Sequence, residues 1–333
     1  MYVVVTTIQR PTPAMLTLAD GLAERQGRLI IVGDSKGPDA FEAPAVEFLP
    51  LHRQQVMDFQ LARSLPTRHY ARKNLGYLFA IAAGAELMVE TDDDNEPVTG
   101  FFEPRQLAVQ GRLVTGAGWC NAYSYFSDEN IWPRGFPLEL LRVAPGCHLA
   151  GTGVRDCLIQ QGLADDNPDV DAVYRMTQPL PVTFRPEPPL LLGSGCWCPF
   201  NSQNTTFFRE AFPLLYLPSY CSFRMTDIWR SFVAQRCLWA MGGCVAFTKA
   251  TVRQERNEHD LRKDFADEVP GYLHNRNIGC VLENVSLTAG RTPAAVCDNL
   301  RKCYAVLVQA GLMEPRELNL VDAWSMDIQA VLK

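Results

Sequence analysis

Three consecutive aspartates, Asp92, Asp93 and Asp94, follow the short apolar run Leu87-Met88-Val89. Carboxylates this close repel one another, so a chain that keeps them needs something to offset the repulsion. At a strand end they suit a hard divalent cation, Mg²⁺ or Mn²⁺, and such ions commonly hold substrate phosphates as well. Read on through Asn95-Glu96-Pro97, the same residues also fit a solvated acidic turn. Neighbours in extended backbone face opposite sides, so Asp92 and Asp94 would share the ligating side and Asp93 would turn away. Upstream, Arg68, Arg72 and Lys73 open an apolar helix carrying Leu75, Leu78, Phe79 and Ala82. Cations at a helix N-terminus oppose its dipole, which predicts an anion close by; phosphate oxygens would serve. Farther on, Asp227 falls in the first turn of a helix that begins near Met225, as a cap or as a working carboxylate. Asp165, Asp166, Asp169 and Asp171 form a second acidic cluster.

The elements that must position these groups begin at the N-terminus. Tyr2 to Ile8 is β-branched and reads as a fully buried strand. Ala14 to Gln26 has apolar residues at helical spacing, and Arg28 to Val32 is a second buried strand. Strand, helix and strand in so few residues predict a parallel right-handed crossover. Both strands end in polar residues, Thr6-Thr7 and Gly33-Asp34, and ligands in open α/β sheets bind at such carboxyl ends. No Gly-x-Gly-x-x-Gly follows the first strand and no Gly-x-x-x-x-Gly-Lys-Ser/Thr occurs, so a dinucleotide site and a P-loop are not expected. Val46 to Leu49 predicts a third strand and Arg53 to Ser64 one helix. Residues 112 to 148 read as irregular, rich in glycine and aromatic residues: a sugar or base platform, or covered core. Ile159 to Leu163 reads as the end of a helix, and Pro179 to Pro189 as a stiff connector. Residues 196 to 205 read as a polar loop, and Glu255 to Glu268 as a solvated helix or loop. Pro293 to Leu312 and Leu318 to Leu332 predict two amphipathic helices.

Composition narrows the class. The chain has 333 residues, 47% hydrophobic and 20% charged, an ordinary globular balance. Its net charge of −6 argues against nucleic acid as a partner. No apolar run reaches the roughly 18 residues of a membrane span, and no signal peptide is recognised. Eleven scattered cysteines predict reduced thiols and a cytoplasmic location. A structural zinc is not expected from Cys196-Trp197-Cys198 alone.

Together these parts suit chemistry at an activated diphosphate. A metal would bridge the phosphates, basic residues would add to it, and a separate carboxylate would act as base or stabilise an oxocarbenium-like centre. Nucleotidyl transfer fits the same parts. Arg72-Lys73-Asn74-Leu75-Gly76-Tyr77-Leu78 followed by Thr91 to Asn95 resembles the STELLO family of glycosyltransferases. So do Trp132 to Glu139, Asn201 to Thr205, Asp227 to Arg230 with Gln235-Arg236, and Arg256 to Asp260. These blocks run in order over residues 1 to 275, and the last 50 residues carry little of the resemblance. A weaker similarity runs to the reversibly glycosylated polypeptides of plants, which are UDP-arabinopyranose mutases. Its counterparts here are Asp92 to Asp94, Arg134 to Pro137, Pro168 to Ala172 and Thr226 to Trp229, with Thr226 in place of an aspartate. In that family the matching arginine carries the sugar, which singles out Arg134.

Both resemblances imply an α/β, GT-A-like (Rossmann-like) nucleotide-sugar fold, with a mostly parallel central sheet and a C-terminal helical portion. The expected division is 1–180 for nucleotide sugar and metal, 181–275 for acceptor and catalysis in the same domain, and 276–333 as a helical extension. The expected enzyme is a Mn²⁺- or Mg²⁺-dependent glycosyltransferase, hexosyl or pentosyl, acting in glycan or polysaccharide synthesis. Its donor would be a nucleotide sugar, UDP-sugar favoured, or another diphosphate-activated sugar, and its acceptor a glycan or small-molecule hydroxyl. Asp92 and Asp94 are the expected metal ligands. Thr6, Thr7 and Asp34 would meet the nucleoside, and Arg72, Lys73 and Arg134 the phosphate or sugar. Asp227 is the expected catalytic base, with Asp169 and Asp171 behind it. The alternatives are a pyranose/furanose mutase and a non-catalytic interaction protein of the same fold. STELLO proteins of plants are membrane-anchored; here no anchor is read, which leaves room for peripheral membrane contact.

Overall fold

The computed structural model describes residues 1–255 and 260–332. It opens with β1 (Tyr2–Thr7), α1 (Pro13–Ala23), β2 (Arg28–Gly33) and β3 (Val46–Leu49). Two short helices, α2 (Leu51–Gln55) and α3 (Gln60–Ser64), lead to α4 (Lys73–Ala82) and β4 (Leu87–Thr91). Next come β5 (Asn95–Pro97), β6 (Ala108–Gly116), β7 (Gly118–Trp119), α5 (Tyr123–Phe126), β8 (Cys147–Asp156), β9 (Ile159–Asp165) and α6 (Ala172–Thr177). The remainder is β10 (Leu190–Leu192), β11 (Cys196–Trp197), β12 (Asn204–Phe208), α7 (Thr226–Ala240), β13 (Val245–Gln254), α8 (Leu261–Glu283), α9 (Pro293–Gln309) and α10 (Glu317–Val331).

The architecture is α/β, with a large, mostly parallel N-terminal sheet block and helices closing its C-terminal part. Among the described residues eleven strands form one sheet, ordered β3-β2-β1-β4-β12-β9-β13-β10-β6-β8, with β5 on β13. The block β3-β2-β1-β4 is parallel throughout. Its inner strands are apolar on both faces because both are covered. Val4, Ile30 and Val32 belong to the core on the α4 side, whereas Val3, Val5, Leu29 and Ile31 pack with Met15, Leu18 and Leu22 of α1. Thr12 caps α1 by accepting the Met15 amide at 3.2 Å, and Pro13 supplies the first-turn residue that needs no donor. Gly76 lets α4 lie close on the sheet: a Cβ there would stand 2.5 Å from Val32 Cγ2 and 2.7 Å from Val4 Cγ1.

Strand order reverses between β1 and β4, so a crevice opens at their carboxyl ends, where Thr7 and Asp92 follow. The antiparallel β12 sets Asn204 opposite Thr91 and thereby delivers the residues before it to the same edge. A buried ion pair then ties β4 to α7. Arg230 Nη1 and Nη2 donate to Glu90 Oε2 and Oε1 at 3.0 and 2.6 Å, and Tyr77 Oη donates to the same carboxylate. Neither charged residue is more than 1% exposed.

Several expectations change. Ile159 to Leu163, expected to end a helix, lies in strand β9: its glutamines are buried and bonded, Gln161 Oε1 accepting from the Asn201 amide at 2.8 Å and from Thr205 Oγ1 at 3.0 Å. The helix expected over Arg53 to Ser64 is broken into α2 and α3. The irregular stretch is bounded by β6 and β8, which pair antiparallel. The loop before Thr205 already includes β11 and the start of β12. Glu268 is not solvated but fully buried in α8. It accepts from Arg224, from Tyr272 Oη at 2.6 Å and from the Ala172 amide at 2.7 Å. The segment Arg256 to His259 lies outside the described residues. The two C-terminal helices stand as expected and support the cleft wall: Glu317 of α10 accepts the Ser219 and Tyr220 amides, and Asp327 accepts those of Gln60 and Leu61.

Removing one partner of a buried ion pair strands the other, at a cost of ~3–5 kcal/mol, whereas replacing both by apolar residues is often neutral. Glu90→Gln should therefore lower the urea midpoint sharply. Glu90→Leu combined with Arg230→Met should recover most of the loss. A double variant no more stable than the single one would show that the pair's charge itself holds the fold.

Candidate active site

One cleft of about 780 Å³ lies at the carboxyl ends of β1, β2 and β4. Thr6, Thr7, Asp34, Arg72, Asp92, Asp93, Asp94, Arg134, Asp169 and Asp227 all line it. Their separation in sequence is bridged by topology: the β1 and β2 ends supply one side, β4 the floor, and α7 with the Arg134 loop the other side.

At the β1–β2 side, Thr7 Oγ1 donates to Asp93 Oδ2 at 2.5 Å, and Thr12 Oγ1 to the Asp93 carbonyl at 2.8 Å. Asp93 is thus tied back to β1 and to the start of α1; residues 92–94 form a turn and not extended backbone, so the expected alternation does not apply and all three aspartates line the cleft. Asp34 accepts the amides of Ser35 (2.6 Å) and His69 (2.9 Å). Arg72 is almost fully buried; Nε donates to Gln54 Oε1 at 2.6 Å and Nη1 to the Leu65 carbonyl at 3.2 Å. Its Nη2 is buried without a hydrogen-bond partner among the described residues.

Lys73 does not line the cleft. Its fully buried ammonium donates to the Thr91 carbonyl and Tyr70 Oη, each at 2.8 Å, and lies 3.6 Å from Asp92 Oδ1. The anion that the sequence demands beside this helix start is Asp92. Tyr70 Oη also donates to Asp92 Oδ1 at 3.0 Å and meets Ser202 Oγ at 2.6 Å. Burial raises the Asp92 carboxyl to about 6; Lys73 pulls it down and the neighbouring Asp94 charge pushes it up again. Gln254 Nε2 donates to both Asp94 oxygens at 3.1 Å.

Among the described residues no three His, Cys, Asp or Glu side chains form a closed metal cage. Mg²⁺ and Mn²⁺ sites that share a cation with substrate phosphates need only one or two carboxylates. Asp92 and Asp94, two repelling oxygen donors on one cleft, fit such an ion.

On the opposite wall Arg134 is saturated. Nε and Nη2 donate to Asp169 at 2.7 and 2.9 Å, Nη1 and Nη2 to Asp227 at 3.1 and 2.9 Å, and Nη1 also to the Arg224 carbonyl. All five N–H donors of a guanidinium are thereby used. Gly135, with φ of 90°, lets this loop lie against α7, since a Cβ would stand 2.3 Å from Ile228 Cγ2. Asp227 is not the helix cap; it faces Arg134 and accepts the Ser202 amide at 3.2 Å. Burial would raise its carboxyl, but Arg134 by charge and hydrogen bonds, with Arg230 behind, brings it down to about 2. Asp171 caps α6 by accepting the Tyr174 amide at 2.8 Å and accepts Trp132 Nε1 at 2.7 Å, apart from the cleft.

Tyr70, Ser202 and Phe223 also line this cleft, and none was singled out by sequence reasoning. Tyr70 stands three residues before Lys73, the spacing of helical neighbours, and Ser202 lies within a block already noted for its resemblance. Phe223 is 54% exposed, edge-on to His69 and Tyr70. The aromatic stretch divides: Trp119, Tyr125 and Phe136 line a second cavity of about 870 Å³, whereas Tyr123 and Trp132 are core.

An α/β chain with an acidic cleft at the carboxyl ends of its parallel strands is the class that fold and site define. The model of the STELLO glycosyltransferases matches residues 224–332. "Probable glycosyltransferase STELLO2" of Arabidopsis thaliana is 28% identical across 99% of this chain, and "Probable glycosyltransferase STELLO1" 26% across 99%. The chain is STELLO-like, and it spans less than half of these relatives, 45% and 44% of their lengths. The match extends through α9 and α10, so the expectation that the last 50 residues carry little of the resemblance is corrected. The glucosyl-3-phosphoglycerate synthase of M. tuberculosis covers 83% of this chain and 80% of its own at 12% identity, with a TM-score of 0.39. Among the described residues no helix is long and apolar enough to cross a membrane.

Because the folded Asp92 carboxyl sits above its ordinary value near 4, the fold binds that proton more tightly than the unfolded chain does. This stabilisation is complete at acid pH and is lost as pH rises toward about 6. In cation-free buffer at pH 7.5, Asp92→Asn should raise Tm by a few degrees, and at pH 4 it should change little. Scanning calorimetry at both pH values checks this; a lower Tm at pH 7.5 would mean the charge is already compensated.

Proposed function

We propose that this chain is a divalent-cation-dependent glycosyltransferase that moves a sugar from a uridine diphosphate donor to an acceptor hydroxyl. The observation that carries this reading is the convergence of Asp92 and Asp94 with Asp34 and Arg72 on one side and Asp227 on the other. Nucleotide-end groups, a diphosphate-sized acidic floor and a remote carboxylate stand in the order that a nucleotide sugar presents its parts.

The β1 and β2 ends would take the nucleoside. Adjacent strands lie roughly 4.8 Å apart, so the β2 end sits about two strand spacings from Asp92, the reach of a nucleoside from its diphosphate. There Asp34 offers acceptor oxygens and Arg72 a buried N–H without a partner among the described residues. An acceptor beside a donor complements the N–H and C=O of a uracil edge. Asp92 and Asp94 would hold the cation, whose chemistry is to neutralise charge on the departing diphosphate. Lys73, 3.6 Å from Asp92 Oδ1, would hold Asp92 while the cation is shared. A carboxylate with a value near 2 accepts protons poorly, so Asp227 is better suited to face a developing oxocarbenium-like charge than to act as general base. Arg134 would hold it there. Saturation of Arg134 also favours transfer over a mutase in which that arginine carries sugar. Hexosyl or pentosyl donors, a glycan acceptor and a place in polysaccharide synthesis belong to the same proposal.

Thermal shift with UDP-, GDP-, ADP- and CDP-sugars, with Mn²⁺ and with EDTA, tests this. UDP-sugars with Mn²⁺ should raise Tm by several degrees, as a ligand well above its Kd does. EDTA, Asp92→Asn or Asp94→Asn should remove the shift. Cation-dependent donor binding that survives in both variants would overturn the metal assignment. An equal response to all four bases would overturn the nucleoside assignment.

A further inference from the structure

Tyr70 and Ser202 lie between the two carboxylate centres, and their hydroxyls meet. Tyr70 Oη has one proton and three polar neighbours: Lys73 Nζ at 2.8 Å, Asp92 Oδ1 at 3.0 Å and Ser202 Oγ at 2.6 Å. Lys73 can only donate. Ser202 Oγ lies in turn 3.3 Å from Asp227 Oδ2, the oxygen that also accepts the Ser202 amide and Arg134 Nη2. From Asp92 to Asp227 there are thus three oxygen–oxygen contacts and two hydroxyl protons.

Two protons cannot serve three contacts between ionised carboxylates. The 2.6 Å contact between the hydroxyls requires a proton, because two lone pairs at that distance repel. Two arrangements therefore remain. Ser202 donates to Tyr70 and Tyr70 to Asp92, or Tyr70 donates to Ser202 and Ser202 to Asp227. Both hydroxyls turn together, and no ionisation changes.

We propose that the Tyr70–Ser202 pair is a two-position hydrogen-bond switch that couples occupancy of Asp92 to Asp227, 135 positions further along the chain. It rests on the reading that Asp92 ligates a divalent cation. When Asp92 gives its oxygens to a cation, Tyr70 loses its acceptor there and turns to Ser202. Ser202 then donates to Asp227. Donor loading at one end of the cleft thereby gives Asp227 one more hydrogen bond and holds it in place for the reaction. Tyr70 and Ser202 are positioning residues in this scheme.

The test is uptake of Mn²⁺ alone by the full chain, with the free ion counted by electron paramagnetic resonance. Ser202 does not touch Asp92, so its effect must pass through Tyr70. Ser202→Ala leaves the Tyr70 proton no alternative to Asp92 and should weaken Mn²⁺ uptake on the order of tenfold, the size usual for groups behind a metal ligand. In a Tyr70→Phe background the same substitution should change nothing. Ser202→Thr, which keeps the hydroxyl, should bind as the unmodified chain does. Ser202→Cys, close in volume and a poor donor, should repeat the weakening if the alanine variant folds badly. Wild-type affinity in Ser202→Ala, with uptake lost in Asp92→Asn, would overturn the switch and leave the cation reading intact. Equal weakening with and without Tyr70 would also overturn it, since Ser202 would then act on the fold. No uptake by the unmodified chain would remove the cation reading and the switch together.

Discussion

The ion pair between Glu90 and Arg230 sets the spacing of everything in the cleft. Glu90 precedes Asp92 by two residues on β4, and Arg230 follows Asp227 by three on α7. Holding these side chains together fixes the strand end against the helix start. Arg230 also lies over the adjoining rings of Phe200 and Phe207, 5.5 and 5.2 Å from their centroids, so the charge is matched by π-faces as well as by carboxylate. An apolar contact would bind the two elements equally well, but it would let them slide. A bidentate guanidinium–carboxylate pair has one geometry, and a cleft that must align two carboxylate centres needs that constraint.

From this fixed spacing the two walls acquire different chemistry. Asp92 and Asp94 are crowded carboxylates, and Asp92 is held above its ordinary value. Asp227 is held below its own by an arginine that has no donor left over. One wall therefore seeks a cation and the other offers a permanent negative charge. Carboxylates pushed apart in this way mark separate roles. Ser202 stands between them because β12 runs antiparallel beside β4, which returns the preceding loop to the β4 end.

The parts of the fold that obey simple periodicity were legible. β1, α1, β2, β3, α4 and the two C-terminal helices follow from apolar spacing and from breakers such as Pro11 and Gly27. The Asp run, its preceding basic helix and Asp227 were legible because charges in unfavourable places need partners. What stayed hidden shares one cause: polar residues buried by distant partners. Gln160 and Gln161 are polar yet buried in a central strand, and Glu268 is a fully buried charge within the mostly exposed start of α8. Their partners lie far away in sequence, as for Gln161 with Asn201 or Glu268 with Arg224. Tyr70 carries no charge, so nothing in composition marks the hydroxyl that three groups share.

The cations near the cleft show why a metal fits the chemistry better than side chains alone. Lys73 is spent on the strand end, Arg134 on Asp169 and Asp227, and Arg224 on Glu268. Arg72 keeps one nitrogen, at the nucleoside end. Lys36, Arg68 and Lys263 are exposed at the rim, where solvent and salt screen them. A diphosphate at the floor would face Asp92, Asp93 and Asp94. Approach of two anions without a mediator would be repulsive. A divalent cation shared by the aspartates and the diphosphate turns the same crowding into attraction. On the proposed reading the acidic floor and the internal pairing of the arginines are one design: the protein neutralises its own cations, and the charge facing the donor would come with the metal.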